Sequence, residues 1–130
     1  MTSNEANEAV PAEAVKEARL WIDPGLGFAK TPEQSLSLLA ATHAFAATGL
    51  RVLIGASRKG FIAQAARLPN GERPGPEARV AGSAAAVAVA VLGGARAVRV
   101  HDVAGGRQAA LLAQALRSAP RAGSREAAPC

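Results

Sequence analysis

The sequence predicts an α/β fold built on a parallel sheet, and three observations carry that expectation. Short apolar runs at Leu20-Trp21-Ile22, Val52-Leu53-Ile54 and Ala97-Val98-Arg99-Val100 alternate with longer segments of helical spacing. The first two runs are continuous rather than alternating, as in parallel strands covered on both faces. Parallel neighbours need long crossovers, and the helical segments supply them as right-handed βαβ units. The 130 residues hold one domain of about three such units. A complete eight-unit barrel needs about 250 residues.

Each element has its own signal. Residues 1–18 carry four Glu and one Lys, a net charge of −3, and are expected to be disordered or to form a short helix started by Pro11. The ordered domain is expected over 19–117. After the first strand, Thr31-Pro32-Glu33-Gln34 opens a helix: Thr31 is the N-cap, Pro32 the first position, and Gln34 closes a capping box. Leu36, Leu39, Ala40 and His43 keep the helical spacing, and Gly49 stops it. His43 reads as a packing or surface residue. A short helix over Gly60–Arg67 follows the second strand, then a loop rich in Pro and Gly. An Ala/Val-rich helix over Pro76–Leu92 ends at Gly93-Gly94, and a last helix spans Arg107–Arg117. The segment 118–130, rich in Ala, Pro, Arg, Gly and Ser, is expected to be a disordered tail.

Composition narrows the function. About a quarter of the residues are alanine, so the 49% hydrophobic content overstates the apolar area available for burial. Trp21, Phe28, Phe45 and Phe61 are the aromatics. Cys130, the single cysteine, makes no internal disulfide and fits a reducing compartment. No apolar run approaches the ~18 residues of a membrane span, and the acidic start is unlike a signal peptide. A cytoplasmic protein without a membrane partner is expected. Residues 19–130 carry 14 basic and six acidic side chains, a net +8, which suits an anionic partner. The arginines are scattered and stacking aromatics are few, so phosphate-bearing small molecules fit better than nucleic acid.

In parallel α/β folds ligands bind outside the carboxyl ends of the strands. Asp23-Pro24-Gly25, Ser57-Arg58-Lys59 and Arg99-Val100-His101-Asp102 follow or end the three strands. Asp23 is either a carboxylate for a guanidine-like ligand edge or the acceptor of an Asx turn before Pro24. Gly25-Leu26-Gly27-Phe28-Ala29-Lys30 lacks the third glycine of a dinucleotide loop, and Gly55-Ala56-Ser57-Arg58-Lys59-Gly60 lacks the ending of a Walker loop. The latter offers a hydroxyl and two cations at a helix start, which suits an anion. Arg99 and His101, two apart on a strand, would face one side and hold a phosphate together.

These clusters resemble dihydropteroate synthase of folate biosynthesis. The resemblance rests on Ile22-Asp23-Pro24-Gly25-Leu26-Gly27-Phe28-Ala29-Lys30, Gly55-Ala56-Ser57-Arg58-Lys59-Gly60-Phe61-Ile62, Arg79-Val80-Ala81-Gly82-Ser83 and Arg99-Val100-His101-Asp102-Val103, within residues 20–117. It implies the C-terminal part of a TIM-type (β/α)8 barrel, incomplete at about three units. It also implies condensation of 6-hydroxymethyl-7,8-dihydropterin diphosphate with 4-aminobenzoate to 7,8-dihydropteroate and diphosphate. Residue by residue, the resemblance implies that Asp23 binds the pterin ring and Lys59 the pterin beside the aminobenzoate. Ser57 would take the aminobenzoate carboxylate, Phe28 would pack on its ring, and Arg99 and His101 would hold the diphosphate. Lys59, Arg99 and His101 would be the catalytic set. Mg2+ is the implied cofactor, with its protein ligand in the missing N-terminal half of the barrel. A homodimer or a complementing N-terminal half is the implied partner. Two positions depart from the family pattern: Gln34-Ser35 replaces His-Asn, and Gly60 replaces Ser, Thr or Ala.

Three other readings stand beside this one. The chain is a non-catalytic pterin- or phosphate-binding remnant, a methyltetrahydrofolate-binding methyltransferase domain, or a basic nucleic-acid module. Ser-Arg-Lys followed by Arg-Val-His-Asp disfavours the methyltransferase.

Overall fold

Strand β2 (Arg51–Ile54) lies between β1 (Trp21–Ile22) and β3 (Ala97–Val98), and both pairings are parallel. This computed structural model describes residues 20–122. The acidic segment 1–18, with the helix start expected at Pro11, and the tail from 123 onward lie outside the described residues. Register places Trp21 opposite Arg51 and Ile22 opposite Val52, then Leu53 opposite Ala97 and Ile54 opposite Val98. The third strand is shorter than Ala97–Val100, although the Arg99 N–H still donates to the Ile54 carbonyl at 3.0 Å.

Cover on both faces of the strands is the expectation, and the described residues cover only one. Ile22, Val52 and Ile54 are buried, whereas Leu53 is partly exposed and Trp21 is 45% exposed. Three strands do not close on themselves, so the second face lacks the opposing strands that a barrel interior provides. On that open side the Arg51 guanidinium stacks over the Trp21 ring at 5.7 Å from its centroid.

Helix α1 (Pro32–Ala40) starts as expected: the Gln34 N–H donates to Thr31 Oγ1, and the Thr31 N–H donates to Gln34 Oε1. It does not run through to Gly49. The Thr42 hydroxyl, buried, donates back to the Leu39 carbonyl at 2.6 Å, and the chain re-forms as α2 (Thr42–Ala46). Such back-bonding bends helices. His43 is exposed, as expected of a surface position. Helix α3 (Gly60–Ala65) is followed by the loop, a 3-10 turn (Pro76–Arg79) and α4 (Val80–Leu92). The expected single helix over Pro76–Leu92 thus begins with tighter winding.

The last helix, α5 (Val103–Ser118), begins four residues before Arg107. Asp102 caps it, its Oδ1 accepting from the Gly105 N–H at 3.0 Å. Gly105 and Gly106 have poor helix propensity and masked the start in sequence. Packing overrides propensity here, since Gly106 is buried against the Val100 side chain.

The core consists of Leu26, Leu39, Val52, Ile54, Phe61 and Ile62 with Ala56, Ala86, Ala90 and Ala95. Alanine is used where α4 crosses the sheet closely. Against α3 the fit is tightest at Gly82, where a β-carbon would collide with Ile62 Cγ2. Gly82→Ala should therefore lower the thermal unfolding midpoint. An unconstrained helix position would instead gain about 1 kcal/mol from the same change, so a raised midpoint in a melting experiment would contradict this packing.

Candidate functional site

All three clusters meet at the carboxyl end of the sheet. After β1 the chain makes a turn closed by the Phe28 N–H on the Gly25 carbonyl at 3.1 Å. Gly27, third in that turn, has φ +81°, which glycine takes without steric cost. The buried Ser35 hydroxyl of α1 accepts from the Gly27 N–H at 3.0 Å and ties the loop to the helix. The Asp23 carboxylate makes the Asx turn and also faces a cation of the third cluster. Oδ1 accepts from the Gly25 N–H at 2.9 Å, an Asx turn, while Oδ2 faces Arg99 Nη2 at 3.7 Å.

After β2 a second turn is closed by the Lys59 N–H on the Ala56 carbonyl at 3.2 Å. Arg58 occupies its third position with φ +59°. A left-handed residue other than glycine costs about 1–2 kcal/mol. Lys59 leaves this turn and reaches back to the first loop. Its ammonium donates to the Leu26 carbonyl and sits 4.6 Å from the centroid of the Phe28 ring. Gly27 makes room for the passage, because a β-carbon there would stand 3.0 Å from Lys59 Cδ. Phe28 itself is 62% exposed and free to meet a ligand.

Arg99 and His101 lie just past the end of β3 and take separate partners. The Arg99 guanidinium lies over Gly55, whose absent β-carbon would fall 2.5 Å from Nη2, and points to Asp23. His101 Nδ1 is 2.8 Å from Ser57 Oγ, which also accepts from the His101 N–H at 3.2 Å. Asp23, Phe28, Ser57, Lys59, Arg99 and His101 are thus gathered on one rim in two linked groups, Asp23–Arg99 and Ser57–His101. Lys59 bridges toward Phe28. Asp102, the remaining charge of the third cluster, serves as the α5 cap.

Sequence reasoning gave no role to Ser35, Arg79 or Ser83. Arg79 and Ser83 stood within a quoted motif, but their contacts to Arg58 span 21 and 25 residues and leave no local pattern. Ser35 sat one position past a capping box that already explained its helix.

Burial and neighbouring charges together act on Lys59. Desolvation, then the neighbouring Arg99 guanidinium, hold the Lys59 amine below its ordinary range, and Asp23 opposes them. A lysine with a depressed affinity for protons releases one more readily and remains a hydrogen-bond donor in either form.

Charged and hydroxyl side chains gathered at the carboxyl end of a parallel three-stranded sheet give a segment of the (β/α) barrel class. The chain belongs to the family described as pterin binding enzyme, whose model matches residues 2–101. Among curated relatives, the dihydropteroate synthase of Mycobacterium leprae (strain TN) is 45% identical over 92 residues, which are 71% of this chain and 32% of that protein. That of Synechocystis sp. is 42% identical over 98 residues, 75% of this chain and 32% of that protein. The Coxiella burnetii dihydropteroate synthase, solved with pteroic acid, superposes with a TM-score of 0.73 at 36% identity, covering 88% of this chain and 42% of that one. The Xanthomonas albilineans enzyme, solved with 7,8-dihydropteroate, gives 0.70 at 42% identity, covering 80% and 38%. The chain spans about a third of the length of the curated relatives it matches. Its fold is the three-stranded arc of their TIM barrel.

The rim electrostatics predict opposite responses of Lys59 to its two neighbours. Arg99→Gln removes a repelling cation and should raise the Lys59 titration midpoint, whereas Asp23→Asn removes an attracting carboxylate and should lower it. Carbon-detected NMR of lysine labelled at Cε reads both, and shifts of the same sign would refute the assigned field.

Proposed function

We propose that this chain carries the substrate rim of a dihydropteroate synthase. The reaction joins 6-hydroxymethyl-7,8-dihydropterin diphosphate to 4-aminobenzoate, giving 7,8-dihydropteroate and diphosphate. The observation that carries the reading is the convergence of Asp23, Lys59, Arg99 and the Ser57–His101 pair on one rim. Relatives solved with pteroic acid and 7,8-dihydropteroate support the substrate class.

Each role follows from chemistry in place. Asp23 Oδ2 offers an anionic acceptor to the amino-pyrimidinone edge of a pterin, and Arg99 yields its loose 3.7 Å contact to do so. Arg99 and His101 then face the diphosphate. Breaking the bond between the pterin methylene carbon and the diphosphate oxygen sends the electron pair to the leaving group, whose growing charge these cationic and donor groups stabilise. The aromatic amine nitrogen attacks the methylene carbon and loses a proton. Phe28 packs on the aminobenzoate ring, Ser57 hydrogen-bonds its carboxylate, and Lys59 lies between the two substrates. Lys59, Arg99 and His101 form the catalytic set.

Mg2+ fits the diphosphate chemistry as a counter-charge. Among the described residues no group of three or more His, Cys, Asp or Glu side chains could hold it. No step here runs through the ion. The partners proposed are the two small molecules, together with a second copy or a polypeptide supplying the other strands. The setting proposed is the cytoplasm; no described helix is long and apolar enough to cross a membrane. A second reading is pterin or phosphate binding without turnover.

A coupled assay for diphosphate release separates the two readings. Release that needs both substrates supports the synthase, whereas pterin binding in calorimetry without release supports the binding module. In either case Arg99→Ala should weaken the pterin diphosphate about tenfold or more, the loss of a charge-assisted contact, and the bare pterin far less. Asp23→Ala should weaken both ligands alike. Equal profiles for the two variants would contradict these roles.

A further inference from the structure

We propose that Arg79 and Ser83 are positioning residues. Together they hold Arg58 in a left-handed turn that it would not keep unaided, and so set where the Ser57 hydroxyl and the Lys59 amine stand on the rim. The two turns at the rim make the contrast. Both close with a bond from the fourth N–H to the first carbonyl, and both have positive φ at the third residue, +81° at Gly27 and +59° at Arg58. Glycine takes that conformation freely. An arginine β-carbon crowds the carbonyl oxygen and drives the residue toward other conformations.

The opposing force comes from one helix turn. The Arg58 N–H donates to the buried Ser83 hydroxyl at 2.9 Å, and the Arg58 carbonyl accepts from Arg79 Nη1 at 2.7 Å. Both main-chain polar groups of the strained residue are thereby engaged. Arg79 Nε also donates to the Pro74 carbonyl at 2.8 Å, so the guanidinium is fixed between two carbonyls in the fork geometry that lysine lacks. Arg79 and Ser83 are four residues apart where the 3-10 turn passes into α4, and that spacing presents both to one target. The turn is bounded by the residues that matter: Ser57 before Arg58 meets His101, and Lys59 after it crosses to Phe28. The inference rests on the proposed function only in taking Ser57 and Lys59 as ligand contacts.

The test needs no ligand. Lys16, Lys30 and Lys59 are the three lysines of the chain, so Cε-labelled protein gives three titrating signals. Ser83→Ala and Arg79→Gln should each raise the Lys59 midpoint by about half a pH unit or more, because a relaxed turn returns the amine to water and away from Arg99. Ser83→Thr keeps the hydroxyl and should keep the parent midpoint. Arg58→Gly tolerates positive φ and should restore the parent midpoint when combined with Ser83→Ala. Leu39→Ala, a core truncation that removes neither hydrogen bond to Arg58, should lower the melting temperature and leave Lys59 unmoved. If Arg79→Gln does not fold, Ser83→Ala carries the test alone. A Lys59 midpoint unchanged in Ser83→Ala despite a lowered melting temperature reduces the pair to structural support and overturns the proposal. So does an Arg58→Gly/Ser83→Ala double variant that titrates like Ser83→Ala. With no pterin or aminobenzoate present, failure of the substrate assignment would leave this result standing.

Discussion

The register of β2 against its two neighbours is the constraint on which the rim depends. Ile22 beside Val52 and Ile54 beside Val98 bring the ends of β1 and β3 to the same end of the sheet as Gly55. Arg99 then reaches Asp23 across the vacant side of Gly55. A slip of one residue would move a strand end by about 3.3 Å and turn its side chains to the other face. That displacement is close to the 3.7 Å Asp23–Arg99 separation itself. It would also replace Ile22 or Val52 in the core by a neighbour evolved to face outward. Burial of these aliphatic side chains thus sets the geometry of charges that lie beyond the strands.

The short length of the strands makes this dependence sharper. β1 and β3 have two residues each, and their ladders are extended by isolated bonds such as Arg96 N–H to the Val52 carbonyl and Arg99 N–H to the Ile54 carbonyl. The helices stabilise what the ladders alone would not. Ala86 and Ala90 are buried and the bare Gly82 leaves room for Ile62 of α3, so α4 packs beside the helix that leaves the second turn, and Arg79 and Ser83 reach Arg58 from there. An alanine-rich composition is therefore tied to site geometry as well as to a modest core.

Much of this was legible in the residues. The three strands, the Thr31 capping box and the position of the rim clusters follow from local apolar runs, cap chemistry and the rule that ligands meet strand ends. Four features were not legible, each for a physical reason. The break between α1 and α2 comes from a buried threonine hydroxyl turned back on its own helix, which spacing alone does not reveal. The early start of α5 comes from Asp102, whose carboxylate was grouped with the rim charges before its capping role was visible. The roles of Ser35, Arg79 and Ser83 are tertiary: each side chain serves a loop distant in sequence. The open second face of the sheet also escaped local reasoning, since a continuous apolar run reports what a strand can bury rather than what is there to cover it.

The stacked Trp21–Arg51 pair has a use unrelated to chemistry. Trp21 is the single tryptophan of the chain, half-exposed, two residues before Asp23, and its ring is capped by a residue of the neighbouring strand. Its emission therefore reports the joining of β1 to β2 in particular. The molecule carries an optical gauge at the seam that brings the first cluster to the other two, so assembly of the rim can be followed without a label.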